Sequence, residues 1–139
     1  MKKLFILGTF ILLSGALIIG CKKDNTSSSA QNQTLKEKLL GKWSWQKTVL
    51  VKTNLSNGTK TTEDEEHPLS LDFKSDGNVL IIYDASTSMD RPYTIIDEQT
   101  FIWDTKTSKI DKIDAHNLVF TFENTVGEFK YSHTCTLTK

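Results

Sequence analysis

The sequence predicts a small all-β domain, in which an antiparallel up-and-down meander closes into a barrel of about eight strands after one short helix. From residue 42 onward, apolar and polar residues alternate with the period of two that is typical of half-buried strands. Short turn-forming segments separate the strands, so successive strands should be antiparallel neighbours. A meander of this length leaves unpaired edges unless it closes on itself, and closure therefore predicts a barrel.

The predicted helix spans residues 35–40 and precedes the strands. Thr34 and Glu37 have the spacing of a capping box, and Gly41 stands where a C′ glycine ends a helix. The helical period does not return after Gly41, so we expect a single helix in the domain.

Turn-forming residues divide the rest of the domain into its strands. The polar run at residues 63–68 is predicted to form an exposed loop, and residues 86–92 a polar bend. The predicted strands are residues 42–53, 59–62, 69–73, 79–84, 93–96, 101–104, 109–113, 118–123 and 129–137. The later turns are placed at residues 97–98, 105–108, 114–117 and 124–127.

The turn at residues 75–77 predicts which face of its hairpin is buried. A type I turn with Gly77 in the left-handed region places Phe73 opposite Val79. The side chains that should then face inward are Leu69, Leu71, Phe73, Val79, Ile81 and Tyr83.

The last strand predicts an unusual interior, because its non-polar face includes a histidine and a thiol. Residues 129, 131, 133, 135 and 137 alternate with wholly polar neighbours and should face the core. A buried His133 needs a hydrogen-bond partner, for which Tyr83 or Tyr93 is the candidate. Cys135 is predicted to be a buried thiol.

The first 20 residues have the composition of a cleaved export signal. Lys2 and Lys3 precede an apolar run, residues 4–19, and the run ends at Gly20-Cys21. The quartet Ile18-Ile19-Gly20-Cys21 resembles the lipobox of bacterial lipoproteins. The resemblance implies that residues 1–20 are removed and that Cys21 carries lipid chains such as palmitate. A retained transmembrane anchor and ordinary secretion are the alternatives, since the run is near the lower limit of ~17 residues for a span.

Residues 21–34 are predicted to form the lipidated cysteine and a flexible polar tether, because they contain too little apolar surface to fold. Residues 22–25 resemble the export signal of surface lipoproteins, which leaves the periplasmic and surface leaflets of the outer membrane both open. Loss of Lys2 and Lys3 leaves 15 basic against 17 acidic residues, a net charge of −2. That balance argues against a nucleic-acid partner.

Two motifs in the domain resemble the lipocalin-like domains of small bacterial lipoproteins. Gly41-Lys42-Trp43 enters the first strand, and residues 71–77 have the pattern Leu-x-Phe-x-x-Asp-Gly. The resemblance implies a barrel over residues 35–139, with Trp43 plugging its closed end. It also implies a small apolar or amphipathic ligand, or a partner protein, at the open end.

No catalytic motif is present in the sequence, so we expect neither an enzyme nor a cofactor. His133 and Cys135 lie two residues apart on one strand, about 6.6 Å, which is too far for a nucleophilic pair. The acidic run at residues 63–66 does not have the spacing of an EF-hand, and we expect no metal site. Trp43, Trp45 and Trp103 form either core packing or a stacking platform.

Two functional hypotheses follow. The first is a membrane-anchored binding protein, with its ligand in the barrel, and the second is a structural, interaction or inhibitor protein of the cell envelope with a filled barrel. A cavity of at least ~300 Å³ separates the first from the second. Oligomeric state is left open. The candidate ligand-binding residues are Tyr83, Tyr93, Trp103, Tyr131 and His133.

Overall fold

The computed structural model describes residues 33–139. The predicted signal segment, Cys21 and all of the tether except its last two residues lie outside that range, so these boundaries stay predictions. Within residues 33–139, no helix has the length and hydrophobicity that a membrane span requires. The described elements are α1 (Leu35–Leu39), β1 (Gly41–Asn54), β2 (Lys60–Glu65), β3 (Ser70–Phe73), β4 (Asn78–Ile82), β5 (Ser88–Ile95), β6 (Thr100–Trp103), β7 (Lys106–Ile113), β8 (Asn117–Val126) and β9 (Phe129–Thr138).

The described strands form one closed antiparallel barrel. Strands β3 to β9 pair in chain order, and β9 returns to pair with β1. The other edge of β1 pairs with β3 through residues 41–44 and with β2 through residues 48–53. Strands β2 and β3 therefore share one position, and the part of the chain described here has eight positions around the barrel. This confirms the predicted fold class.

The short helix closes one end of the barrel. Thr34 and Glu37 form the predicted capping box, with hydrogen bonds of 2.9 and 3.3 Å. Gly41 has a φ of +97°, a left-handed conformation that glycine adopts without steric cost, and it ends the helix as predicted. The indole Nε1–H of Trp43 donates to the carbonyl of Leu39 at 2.7 Å, which ties the helix to the first strand.

The barrel interior beneath the helix is filled by aromatic rings. Phe101 is fully buried and meets Phe73 and Phe120 edge-on, with centroid separations of 5.9 and 5.3 Å. Edge-to-face pairs are favourable beyond the area they bury. Trp43 is fully buried in the same cluster. The closed half of the barrel is thus a packed core.

The predicted hairpin register is confirmed. Phe73 pairs with Val79, and Gly77 has a φ of +93°. Val79 and Ile81 are buried together with Leu71 and Phe73.

The two outer residues of this hairpin lie outside the buried core, contrary to the prediction that they would pack with it. Leu69 is 56% exposed and Tyr83 is 41% exposed. Both share the parity of the buried residues, but β3 begins at Ser70 and β4 ends at Ile82. Alternation of apolar and polar residues predicts which face of a strand a side chain lies on, but not where the strand itself begins or ends.

Two predicted irregular segments are strands over part of their length. Glu63, Asp64 and Glu65 lie in β2 rather than in a loop, and β5 begins at Ser88 rather than after Pro92. Charged residues are compatible with β2 because it pairs with β1 on one edge and is otherwise exposed.

Two hairpin turns are also tighter than predicted. Asp104 and Thr105 both have positive φ, 43° and 68°, and together form a two-residue turn, so β7 already begins at Lys106. At the other turn, β8 continues to Val126 and pairs with Phe129. Asp104-Thr105 lacks the glycine that usually marks such turns, so the sequence offered no signal for it.

Candidate functional site

A cavity of about 570 Å³ opens at the end of the barrel opposite the helix. Its floor is made by Thr48 and Cys135, which lie above the aromatic core. Its wall carries the rings of Trp45, Trp103 and Phe122. Its remaining polar lining is Glu65, Glu66, His67, Thr105, Lys106, Thr107, Glu123, Asn124 and His133.

Strand register explains why polar and apolar side chains share this space. Glu65 and Cys135 flank Thr48 on opposite sides, so all three side chains point to the same face of the sheet. One step nearer the rim, His133 lies beside Leu50 on β1 and Phe122 on β8. The inward face therefore becomes more polar toward the open end.

The tryptophan wall presents ring faces and not free N–H groups. The indole N–H of Trp45 donates to the Thr48 hydroxyl, and that of Trp103 donates to the Ser108 hydroxyl, each at 2.9 Å. The two rings lie 6.2 Å apart, and Phe122 meets Trp103 edge-on at the same separation. With both donors satisfied inside the protein, these residues offer apolar and π contacts to a ligand.

His133 lies in a polar cluster that joins three strands. Its Nδ1 is 2.7 Å from Oε2 of Glu65, and its Nε2 is 3.2 Å from Oδ1 of Asn124. The ring stacks on Phe122 with centroids 4.4 Å apart and planes at 8°. The predicted tyrosine partner was wrong: the partner is Glu65, which the sequence pattern had placed in a loop.

Lys106 extends into the cavity over two aromatic faces. Its Nζ is 5.0 Å from the centroid of the Trp103 ring and 5.9 Å from that of Phe122. The same ammonium is 3.2 Å from one carboxylate oxygen of Asp104, and the Nε of Arg91 is 3.0 Å from the other. The ammonium of Lys106 therefore already lies against the aromatic side chains of the cavity.

His67 lies at the rim, stacked on Trp45 with ring centroids 5.9 Å apart. Its Nδ1 is 2.8 Å from the carbonyl oxygen of Pro68, and a carbonyl oxygen only accepts. Nδ1 therefore carries the proton and donates.

The structure brings three of the five candidate ligand-binding residues to the cavity: Tyr83, Trp103 and His133. Tyr93 lies outside this lining, because its hydroxyl donates to the Lys74 carbonyl at 2.9 Å and its ring packs on Phe73. Burial also raises the pKa of Tyr93.

Tyr131 lies on the extension of β9 past the cavity, on the same face as His133. Lys52 faces its ring at 5.7 Å and the ring of Phe129 at 4.0 Å. The sequence placed Tyr131 on the correct face, but the strand carries it above the cavity.

Cys135 is fully buried at the cavity floor, and burial raises the pKa of its thiol to about 12. A thiol that is not ionised at neutral pH is a poor nucleophile. Within residues 33–139, no three side chains of His, Cys, Asp or Glu are placed to hold a metal ion. The arrangement is that of a partly polar cavity with an aromatic wall.

Comparison with known proteins gives structural likenesses but no sequence match. No family model and no curated protein sequence matches the chain. A solved structure of bovine odorant binding protein, a deswapped triple mutant, is similar at 19% identity and a TM-score of 0.43, over 73% of this chain and 74% of that one. The assignment of this chain to the up-and-down barrels rests on its own strand pairing.

Proposed function

We propose that this chain is a lipid-anchored binding protein of the cell envelope, which holds a small amphipathic ligand in the open end of its barrel. The cavity of about 570 Å³ carries the ligand proposal. It lies within the range of ~300–1,000 Å³ that small-molecule sites occupy. Binding, and not catalysis, suits a site whose one buried thiol is kept protonated.

The lining supports an amphipathic ligand because it offers both apolar and polar groups. The rings of Trp45, Trp103 and Phe122 present aromatic faces, while Glu65 and its polar neighbours present hydrogen-bonding groups. An apolar body would displace water from the ring faces, and a polar head group would exchange hydrogen bonds with the polar side chains.

The rival hypothesis of a filled barrel describes the other half of the molecule. Beneath the cavity floor, the side chains of Phe73, Phe101 and Phe120 are at most 1% exposed. A ligand site therefore needs only the upper part of the barrel.

Native mass spectrometry of the full-length protein, purified from its own host, tests the ligand proposal. We expect an added small-molecule mass on the wild type. Asn124→Trp should remove it, because the new ring fills the cavity from its wall. Thr125→Trp, on the next residue and the opposite face of β8, is the matched control and should keep the added mass. Equal loss in both variants, or no bound molecule in any form, contradicts the proposal.

The anchor is proposed from the lipobox-like quartet at residues 18–21 and the polar tether that follows it. Two or more lipid chains give stable membrane attachment, whereas one chain binds only marginally. Location in the outer membrane, on either leaflet, is part of this proposal.

Cys21→Ser tests the anchor. We expect the variant either to leave the membrane fraction or to keep its signal segment uncleaved and stop maturing. Mass spectrometry of the wild-type N-terminal peptide should show a lipidated Cys21. An uncleaved wild-type N-terminus together with unchanged fractionation of the variant would instead indicate a retained transmembrane anchor.

A further inference from the structure

We infer that the ligand of this cavity carries an organic ammonium group, which binds on the corner of aromatic rings that Lys106 now occupies. The inference rests on the proposed function and narrows it to a chemical class: a cation with an apolar or aromatic body.

The corner already holds an ammonium. The rings of Trp103 and Phe122 stand at 82° to each other, and the Nζ of Lys106 lies within 6 Å of both centroids. A cation at that range is attracted by the negative face of an aromatic ring, most strongly by tryptophan. The two rings therefore provide the geometry that a ligand ammonium needs, and the ammonium of Lys106 occupies that position in this structure.

Lys106 is also held at the rim by an ion pair. Asp104 lies 3.2 Å from its Nζ, and Lys106 and Asp104 are 38% and 30% exposed in their side chains. Asp104 stands in the turn at the rim, and the ammonium contacts its carboxylate and the two rings at the same time. A rotation of the lysine side chain about this ion pair would take the ammonium off the ring faces without breaking the pair. Lys106 is thus an internal competitor that an incoming cation can displace.

The charges of the lining favour a cation over an anion. Among the described residues that line the cavity, Lys106 is the one lysine or arginine, whereas the carboxylates are Glu65, Glu66 and Glu123, the last paired with Lys130. Glu66 forms no ion pair within residues 33–139, and Glu65 is paired with a histidine. When Lys106 withdraws, a ligand ammonium enters a site with an excess of carboxylates, while a ligand carboxylate would be repelled.

The test uses three water-soluble ligands of matched size: 3-phenylpropylammonium, 3-phenylpropanol and 3-phenylpropanoate. Each is titrated into the full-length protein in maltoside micelles, with quenching of tryptophan fluorescence as the readout and protein-free micelles as the reference. Detergent in the cavity would weaken all three alike and leave their order unchanged. We expect the ammonium to bind at least about fivefold more tightly than the alcohol, and the carboxylate to bind most weakly. This ranking needs no variant.

Variants locate the effect. Lys106→Met should tighten ammonium binding by about threefold or more, because the competitor is gone. Lys109→Met, an exposed position on the same strand, should change nothing. Glu65→Gln should weaken binding of the ammonium and leave the alcohol unaffected.

The outcomes separate the two proposals. If the carboxylate binds best and Lys106→Met abolishes its binding, Lys106 is an anion anchor and the inference fails. If the alcohol binds as well as the ammonium, the charge of the ligand does not contribute to binding. The inference then fails, and only the proposed function stands. If none of the three binds at millimolar concentration, the inference fails, and native mass spectrometry decides the proposed function separately. Competition by glycerophosphocholine would identify a lipid head group as the source of the ammonium, and lack of competition a free amine.

Discussion

The two ends of the barrel are built from the same strands and differ in what those strands place inside. Along β9, Leu137 and Cys135 are fully buried, while His133 is partly exposed and hydrogen-bonded. Along β8, Phe120 is fully buried and Phe122 lines the cavity. The closed end is apolar and close-packed, whereas the open end mixes aromatic rings with charged groups. Close-packed apolar side chains therefore lie at one end, and polar groups line the interior at the other.

The largest difference between the two ends should appear when the same residue type is truncated at each. Phe101→Ala removes a fully buried ring from the aromatic core and is expected to cost about 3–5 kcal/mol of unfolding free energy. Phe122→Ala removes a partly buried ring beside an existing cavity, and it should cost less than about 2 kcal/mol.

Urea unfolding followed by far-UV circular dichroism measures both. The reverse should hold for binding: Phe122→Ala removes part of the aromatic wall and weakens ligand binding, while Phe101→Ala, if folded, leaves the cavity lining in place. Equal losses of stability at the two sites would show that the open end contributes to the core as much as the closed end does.

The sequence predicted the barrel and its faces because both follow from local patterns. Gly77 determines the turn that places Phe73 opposite Val79, and the capping residues determine where the helix begins. Such features depend on residues within one hairpin or one helical turn.

The site was predicted less completely because it depends on position along the barrel and on contacts between distant segments. The partner of His133 is Glu65, 68 residues earlier, and the acidic run around Glu65 is locally indistinguishable from an exposed loop. Tyr93 and Tyr131 were placed on inward faces, yet one lies outside the cavity lining and the other above it. Alternation does not determine height along a strand.

Cys135 marks the boundary between the two ends and should behave as part of the closed one. Burial raises the pKa of its thiol to about 12, so the folded protein presents almost no thiolate at pH 8. Maleimide labelling of residue 135, located by peptide mass spectrometry, should be at least about a hundredfold slower than in denaturant. Rapid labelling of the folded chain would place Cys135 in the accessible part of the cavity.

The same shift predicts a dependence of stability on alkaline pH. The folded thiol ionises near pH 12 and the unfolded thiol near its ordinary value of 9.0, so ionisation favours the unfolded chain between these values. The unfolding free energy should be unaffected by this group below pH 9 and should fall as pH rises toward 12. Cys135→Ala should show a shallower decline than the wild type, and identical slopes would contradict the prediction.

The smallest expected effects come from two turns, one at each end. Asp84, in the β4–β5 turn at the rim, accepts hydrogen bonds from the backbone and hydroxyl of Ser86, which hold its pKa near 2. Asp114, in the β7–β8 turn at the closed end, accepts from the backbone N–H of His116, which holds its pKa well below the ordinary value. Because both pKa values are lowered by folding, each carboxylate stabilises the fold above about pH 4. That stabilisation is lost as pH falls toward 2.

Asparagine substitutions at the two turns test this difference between the ends. Asp84→Asn and Asp114→Asn should each make the loss of stability between pH 4 and 2 shallower, because the amide oxygen still accepts but no longer titrates. The carboxylate of Glu98 accepts no hydrogen bond within the described residues. Glu98→Gln is therefore the control and should leave the slope unchanged. Asp84→Asn should also alter ligand binding slightly, since Tyr83 beside it lines the cavity. Asp114→Asn should leave binding unaffected, and an equal effect of both variants on binding would contradict the separation of the two ends.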